Sequence, residues 1–228
     1  RRSRLYKKEY RMRDFFDIDG PFVRYMGKLV DIVWLSLIFL VCSIPLFTIG
    51  ASWSALYYVA HKNLRHNRGY ATREFFKAFK DCFKQSTICF LFMAIIGGAI
   101  SWEAWVMYQY AMAGQKIGRI YILFLIILAI IIMWALQLFP YISRFTNTTK
   151  NFLKNSIYFA ISNLVDSVFL LIALILAILF ELQWPFLVLI LPALYMMLCY
   201  FFVENIYKKY MTEADLAAEE DRERNFGI

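Results

Sequence analysis

Four acidic side chains, Asp31, Glu103, Asp166 and Glu181, lie within or beside long apolar segments of the sequence, and the first three are candidates for an intramembrane polar site. A carboxyl group inside a membrane bundle can carry a proton or bind an ion, which is the chemistry of coupled transport. Each of the three also lies toward the end of its segment, where water or, for Asp31 and Asp166, a helix N-terminus stabilises the charge. An interfacial position and an intramembrane site therefore both remain open.

Residue patterns for catalysis or metal binding are missing from the sequence. His61 and His66 lie five apart in a basic loop, with no HExxH motif, phosphate-binding glycine loop or nucleophile elbow. The four cysteines show no metal-ligand spacing. The sequence therefore predicts a non-enzymatic protein without a cofactor or metal site, with both histidines at the surface.

Two segments combine aromatic and basic residues at helical spacing, and we predict cytoplasmic amphipathic helices at 71–85 (ATREFFKAFKDCFKQ) and within 148–163 (TTKNFLKNSIYFAISN). Such helices lie on the inner membrane surface with their lysines toward anionic lipid. The same faces could instead dock a partner. The candidate contact residues for a partner are Phe75, Phe79, Lys80, Phe83, Phe152 and Lys154.

The composition is that of a membrane protein. Of 228 residues, 61% are hydrophobic and only 18% are charged, whereas soluble domains carry about a quarter charged residues. The net charge of +8 is concentrated in loops beside apolar blocks, which is typical of cytoplasmic loops. This distribution argues against a nucleic-acid partner and predicts membrane lipid as the surroundings.

The distribution of charge predicts which loops are cytoplasmic. Residues 1–28 hold nine Lys or Arg against four acids, 61–84 hold seven against two, and 143–163 hold three against none. With all three loops inside, we predict an all-α bundle of about six crossings with both termini cytoplasmic. The predicted spans are 29–46, 49–61, 87–108, 120–142, 164–180 and 184–203, within a membrane domain of 29–205.

The first apolar block, 29–60, would reach roughly 48 Å as one helix, well beyond a hydrocarbon core of about 30 Å. Basic segments on both sides require an even number of crossings. We therefore predict a short hairpin whose break, at Pro45, Thr48 and Gly50, lies near the outer face. Whether this block crosses twice or is re-entrant stays open.

The terminal segments differ in charge. Residues 1–28 form a predicted basic cytoplasmic segment, and residues 206–228 form a predicted acidic cytoplasmic tail. No signal-peptide cleavage site follows the first apolar block, so we expect that block to be retained as a membrane anchor.

The residues DGPFVRYMGKLVDIVWLSLIFLVCSIPLFTIGASWSALYYV (19–59), followed by RGYATREFFKAFKDCFKQ (68–85), resemble the YesL family of bacterial membrane proteins. The stretch CSIPLFTIGAS is the most distinctive part. This family has no characterised function and is often encoded beside carbohydrate ABC importers and glycan-degrading enzymes. The resemblance implies a plasma-membrane protein associated with oligosaccharide uptake, and it transfers no catalytic residues.

The expected function is that of a non-enzymatic accessory subunit of a carbohydrate ABC importer. Such a subunit would bind the permease through its spans, with the ATPase as a further candidate partner. One alternative is a secondary transporter or channel, which the broken first hairpin and the acidic residues suggest. The other is a membrane sensor or regulator of carbohydrate uptake.

Overall fold

A computed structural model describes residues 21–64, 71–145 and 147–210. Every regular element within these ranges is helical, so the predicted all-α class is confirmed. Residues 1–20 of the basic segment, His66 and residues 211–228 of the acidic tail lie outside the described residues.

The described residues form seven α-helices and four short 3₁₀ or π turns. The α-helices are α1 (Pro21–Ser43), α2 (Ile49–Val59), α3 (Ala71–Met112), α4 (Tyr121–Arg144), α5 (Thr149–Ser162), α6 (Leu164–Gln183) and α7 (Leu191–Tyr210). The turns are 3₁₀ segments at Leu46–Thr48, Lys116–Ile120 and Pro185–Leu189, and a π turn at Ala60–Leu64.

Three of the helical segments are long and apolar enough to cross a membrane: Ala71–Met112, Lys116–Arg144 and Leu164–Gln183. Their outward surfaces are rich in Leu, Ile, Val and aromatic side chains. A surface of that kind is stable against lipid and would aggregate in water. The chain is therefore a membrane protein.

Helix α3 differs from the sequence expectation. Residues 71–85 and the span 87–108 were predicted as two elements, but they form one continuous helix of 42 residues, about 63 Å long. No glycine or proline lies between residues 71 and 96, so nothing in the sequence interrupts the backbone hydrogen bonds where the amphipathic pattern gives way to the apolar one.

The break between α1 and α2 coincides with Pro45 and Thr48, two of the three residues that predict it, whereas the third, Gly50, lies in the first turn of α2. Helix α1 ends at Ser43, and Pro45 adopts an extended conformation (φ −73°, ψ 109°). The Thr48 hydroxyl lies 2.5 Å from the carbonyl oxygen of Cys42 and 2.6 Å from that of Pro45. The Cys42 carbonyl is one that the end of α1 leaves without a helical partner, and the hydroxyl of Thr48 can donate its proton there, whereas the Pro45 carbonyl also accepts the backbone N–H of Thr48 at 2.8 Å.

The depth of this break in the bundle differs from the prediction. Gly50 packs directly against Phe90 and the backbone of Ser86 on α3, and against the ring of Phe139 on α4. From Phe90, α3 continues for about 22 residues, roughly 33 Å, before it ends at Met112. The break therefore does not reach the far end of the bundle. The prediction missed this because charge and composition indicate how many segments a chain has but not how deep each one extends.

Helix α2 lies at the centre of the bundle. It has 11 residues and is about 16 Å long, roughly half the thickness of a hydrocarbon core. Its buried residues are mostly small: Gly50, Ala51, Ser52, Ser54, Ala55, Leu56, Tyr57 and Val59. Small side chains let helix backbones approach closely, which places α2 between α3 and α4.

Candidate functional site

Most of the charged side chains collect at one end of the bundle, which we call the basic end. It is formed by the starts of α1, α3 and α6, the ends of α2, α4 and α7, and all of α5. A hydrogen bond of 3.0 Å joins Lys62 to Glu74 there, and one of 3.5 Å joins Asn163 to Tyr210. Within the described ranges, the Lys and Arg residues at the opposite end are Lys116 and Arg119.

A buried ion pair lies within the basic end. Nη2 of Arg144, the last residue of α4, is 2.6 Å from Oε1 of Glu204 on α7. The side chains are 18% and 4% exposed, respectively. A buried carboxylate requires a charged partner, so each of these residues makes the burial of the other tolerable. The pair fastens α4 to α7.

His61 connects α2 to this pair. Its Nε2 atom lies 2.8 Å from Nη1 of Arg144, and its ring lies 5.1 Å from that of Tyr200. Because a guanidinium group can only donate hydrogen bonds, Nε2 of His61 is the acceptor and the imidazole is neutral, with its proton on Nδ1. The prediction that His61 is a surface residue is wrong, since the side chain is partly buried and bound to Arg144.

The exposed counterpart of this cluster is the ion pair of Lys62 and Glu74, which joins the end of α2 to the start of α3. Partial burial is the largest single effect and lowers the pKa of the Lys62 ammonium, but the hydrogen bonds and charge interactions with Glu74 and Tyr58 together outweigh it, so the pKa is raised overall. The Lys62 side chain is 42% exposed, and water screens the interaction.

An aromatic cluster surrounds the charged residues. Tyr207 donates a hydrogen bond from its hydroxyl to the carbonyl oxygen of Gln137, at 3.2 Å, and its side chain is buried. The ring of Tyr141 packs 6.0 Å from Tyr207 and 5.3 Å from Phe152. Helices α4, α5 and α7 are held together by these contacts.

The six candidate contact residues do not form one exposed surface. Phe75 and Phe152 are fully buried. Phe79 is partly buried and its ring lies 5.5 Å from that of Phe83, which is 36% exposed. The exposed cations among the six are Lys80 and Lys154. A partner at the basic end could touch Phe83 and these lysines, whereas Phe75 and Phe152 serve the core.

The three candidate intramembrane acids do not meet inside the bundle. Asp31 and Glu103 are exposed and Asp166 is partly exposed. The buried acid among the described residues is Glu204, one residue beyond the predicted last span. The spacing of Tyr200, Val203 and Tyr207 on α7 carried the signal, because Glu204 shares the helix face of these apolar neighbours.

Hydroxyl and amide groups link the helices deeper in the bundle. The Ser54 hydroxyl is 3.0 Å from that of Ser86 and 3.0 Å from the carbonyl oxygen of Phe139. The Gln137 amide donates to the Ser167 hydroxyl at 3.3 Å. These contacts join α2, α3, α4 and α6 where water is excluded, and they supply packing specificity rather than reactive groups.

One face of α3 carries small residues that no other described element covers. Ala94, Gly98 and Ser101 share this face with Trp105, and all four are exposed. A Cβ added at Gly98 would meet no atom within 4 Å among the described residues. Small residues at a spacing of about four allow two membrane helices to pack closely.

Residues 32–104 match the family model described as a protein of unknown function, DUF624. The match begins in α1, contains the break and all of α2, and ends on α3 just beyond the small-residue face. No curated protein and no solved structure matches the chain significantly.

Proposed function

We propose that this protein is a multi-pass plasma-membrane accessory subunit of a bacterial carbohydrate ABC importer, and that it binds the permease within the membrane. The resemblance to the YesL family motivates the importer, because members of that family are often encoded beside carbohydrate permeases. The DUF624 match is consistent with that resemblance and itself describes no function.

The observation that carries the proposal is the small-residue face of α3. Ala94 and Gly98 are small and exposed, and the space beside Gly98 is empty among the described residues. Lipid chains gain little from such a flat surface, whereas a second helix can approach it closely enough for extensive van der Waals contact. We assign this face to a transmembrane helix of the permease.

The proposed topology has four crossings rather than six. Helices α3, α4 and α6 cross, and the 3₁₀ turn at Pro185–Leu189 together with α7 completes the return. The hairpin of α1 and α2 enters and leaves on the basic side, because its break lies beside Phe90 and α2 is too short to span. The concentration of Lys and Arg at the basic end supports a cytoplasmic position for that end.

The position of the acids favours an accessory role over transport by this chain. A coupled transporter needs an ionisable group that faces the bundle interior or a water-filled path. Asp31 and Glu103 face outward, and the buried Glu204 is bound to Arg144. A membrane sensor would have the same architecture and would also bind a partner. It differs from an importer subunit because the contact would regulate carbohydrate uptake rather than form part of the importer.

The test is affinity purification of the full chain from native membranes in mild detergent. Permease subunits should be recovered at a fixed ratio to this protein. Recovery of the chain alone, under conditions in which the importer itself stays assembled, would overturn the proposal. Deletion of the gene distinguishes an importer subunit from a regulator. Loss of carbohydrate uptake by an already expressed importer supports a subunit, whereas a change in importer expression alone supports a regulator.

A further inference from the structure

A pocket of about 380 Å³ opens between α1 and α7 at the basic end. The lining residues on α7 include Met197, Phe201, Asn205 and Lys208, and Lys28 faces them from α1. On α7 these positions recur at intervals of three or four, so they share one face of the helix. The pocket is therefore a groove along α7 that α1 closes on one side.

The groove changes character along its length. Met197 and Phe201 form its wall toward the membrane interior, and the Phe201 side chain is 64% exposed. Asn205 and Lys208 follow one and two turns later, toward the end of α7. A ligand that fills the groove would need an apolar part beside Phe201 and a hydrogen-bond acceptor beside Lys208.

The polar end of the groove contains hydrogen-bond donors that no described residue uses. No described residue forms a hydrogen bond or ion pair with the side chains of Lys28, Asn205 or Lys208. Glu204 also lines the pocket, but Arg144 binds its carboxylate at 2.6 Å, so the local balance stays positive. Two ammonium groups and an amide are suited to a phosphate group.

We propose that this groove binds an anionic phospholipid, with the phosphate between Lys28 and Lys208 and the acyl chains along Met197 and Phe201. The order of apolar wall, amide and lysine along α7 repeats the order of acyl chain, glycerol and phosphate at a membrane surface. A basic pocket beside membrane helices is the usual form of such a site. The inference does not depend on an importer partner.

The experiment measures lipid retention by native mass spectrometry of the purified full chain in nonionic detergent. Phosphatidylglycerol and phosphatidylcholine with identical acyl chains are added at equal concentration. Phosphatidylglycerol should be retained preferentially. The double variant Lys28→Gln/Lys208→Gln should weaken its retention by roughly 25-fold, since each lysine near an anionic headgroup contributes about a factor of five.

The matched control is Lys150→Gln/Lys209→Gln, which removes two exposed charges from the same end. Lys209 follows Lys208 directly, but its ammonium lies 5.9 Å from the centroid of the Tyr210 ring and outside the groove. Retention by the control variant should match that of the unmodified chain. Equal loss in both double variants would reduce the effect to bulk electrostatics and overturn the site.

Soluble glycerol phosphate distinguishes a lipid from a free phosphate ester. It carries the same phosphate without acyl chains, so it should not displace phosphatidylglycerol at equal concentration. Displacement at equal concentration would assign the groove to a soluble phosphate ester and overturn the lipid. Unchanged retention of phosphatidylglycerol by the Lys28/Lys208 variant would overturn both.

Discussion

Arg144 and Glu204 meet at 2.6 Å in the interior of the basic end, 60 residues apart in sequence, and connect the last residue of α4 to α7. The interaction stabilises the bundle and also constrains the relative position of the two helices. Burial of either charge without the other is unfavourable by several kcal/mol, so the two helices are held at one relative position.

Replacement of Arg144 by leucine should lower the free energy of unfolding by about 3–5 kcal/mol, because it leaves the Glu204 carboxylate buried without its guanidinium partner. The double variant Arg144→Leu/Glu204→Leu should recover much of that loss, since neither buried charge remains. Unfolding of the purified protein by titration with dodecyl sulfate measures both values.

The exposed ion pair is the control for this prediction. Glu74→Gln removes the partner of Lys62 at the same end of the bundle, and we expect a loss of less than about 1 kcal/mol. If Arg144→Leu is no more destabilising than Glu74→Gln, the buried pair does not hold the helices together.

Replacement of His61 by glutamine should lower the free energy of unfolding less than replacement by lysine. The Nε2 atom of His61 accepts a hydrogen bond from Arg144, and a glutamine carbonyl can accept the same bond, whereas lysine places a second cation beside the guanidinium. We expect a loss of roughly 1.5–3 kcal/mol or more for His61→Lys and a smaller loss for His61→Gln. The same unfolding titration ranks the variants, and the reverse order would contradict the neutral imidazole.

Gly50→Ala should destabilise the bundle by about 1–3 kcal/mol through overpacking. The added methyl group would lie 2.7 Å from the Phe139 ring and 2.9 Å from the carbonyl oxygen of Ser86. Gly27→Ala is the matched control, because its methyl group meets nothing within 4 Å. Apparent melting temperatures of the two variants, compared in one detergent, test the position of α2.

The depth of the break can be measured by labelling of single cysteines in a variant without the four native cysteines. Leu46→Cys should resist a membrane-impermeant thiol reagent from either side, although Leu46 is 74% exposed, because its surroundings are lipid. Gln115→Cys, in the turn after α3, should react from the outside. Reaction of both from the outside at similar rates would restore the six-crossing topology.

Gly98→Leu should reduce recovery of the permease by tenfold or more, as roughly expected when about 1.4 kcal/mol of close packing is lost. The free energy of unfolding of the Gly98→Leu variant should be unchanged, because residue 98 faces outward. Ala99→Leu adds the same side chain about 100° round the helix and should leave recovery intact. Equal recovery with both variants would remove α3 as the contact.

The sequence was sufficient for the class of the molecule and for the site of the break. The apolar blocks and the basic loops are properties of composition, so membrane residence and helical structure follow from them directly. Pro45 and Thr48 affect only the backbone within a few residues, so the end of α1 can be predicted from the local sequence. The continuous α3 was missed because a change in surface character, at residue 85, does not by itself end a helix.

The buried cluster could not be derived in the same way. His61, Arg144 and Glu204 lie on three helices, and their meeting depends on how far each helix extends along the others. Charge counting places His61 and Arg144 in cytoplasmic loops, and the last predicted span ends at residue 203, just before Glu204. Only the apolar spacing around Glu204 on α7 distinguished it from a solvated acid.

The unbroken length of α3 has a mechanical consequence. Cys82 contacts the carbonyl oxygen of Ile142 near the end of α4, so the 11 residues of α3 before Cys82 extend roughly 16 Å along the basic end and beyond α4. Gly98 lies on the same rod, about 24 Å further along. Because no break in the helix separates Lys80 from Gly98, a partner that displaces the basic end of α3 would act on the same continuous helix that carries the small-residue face.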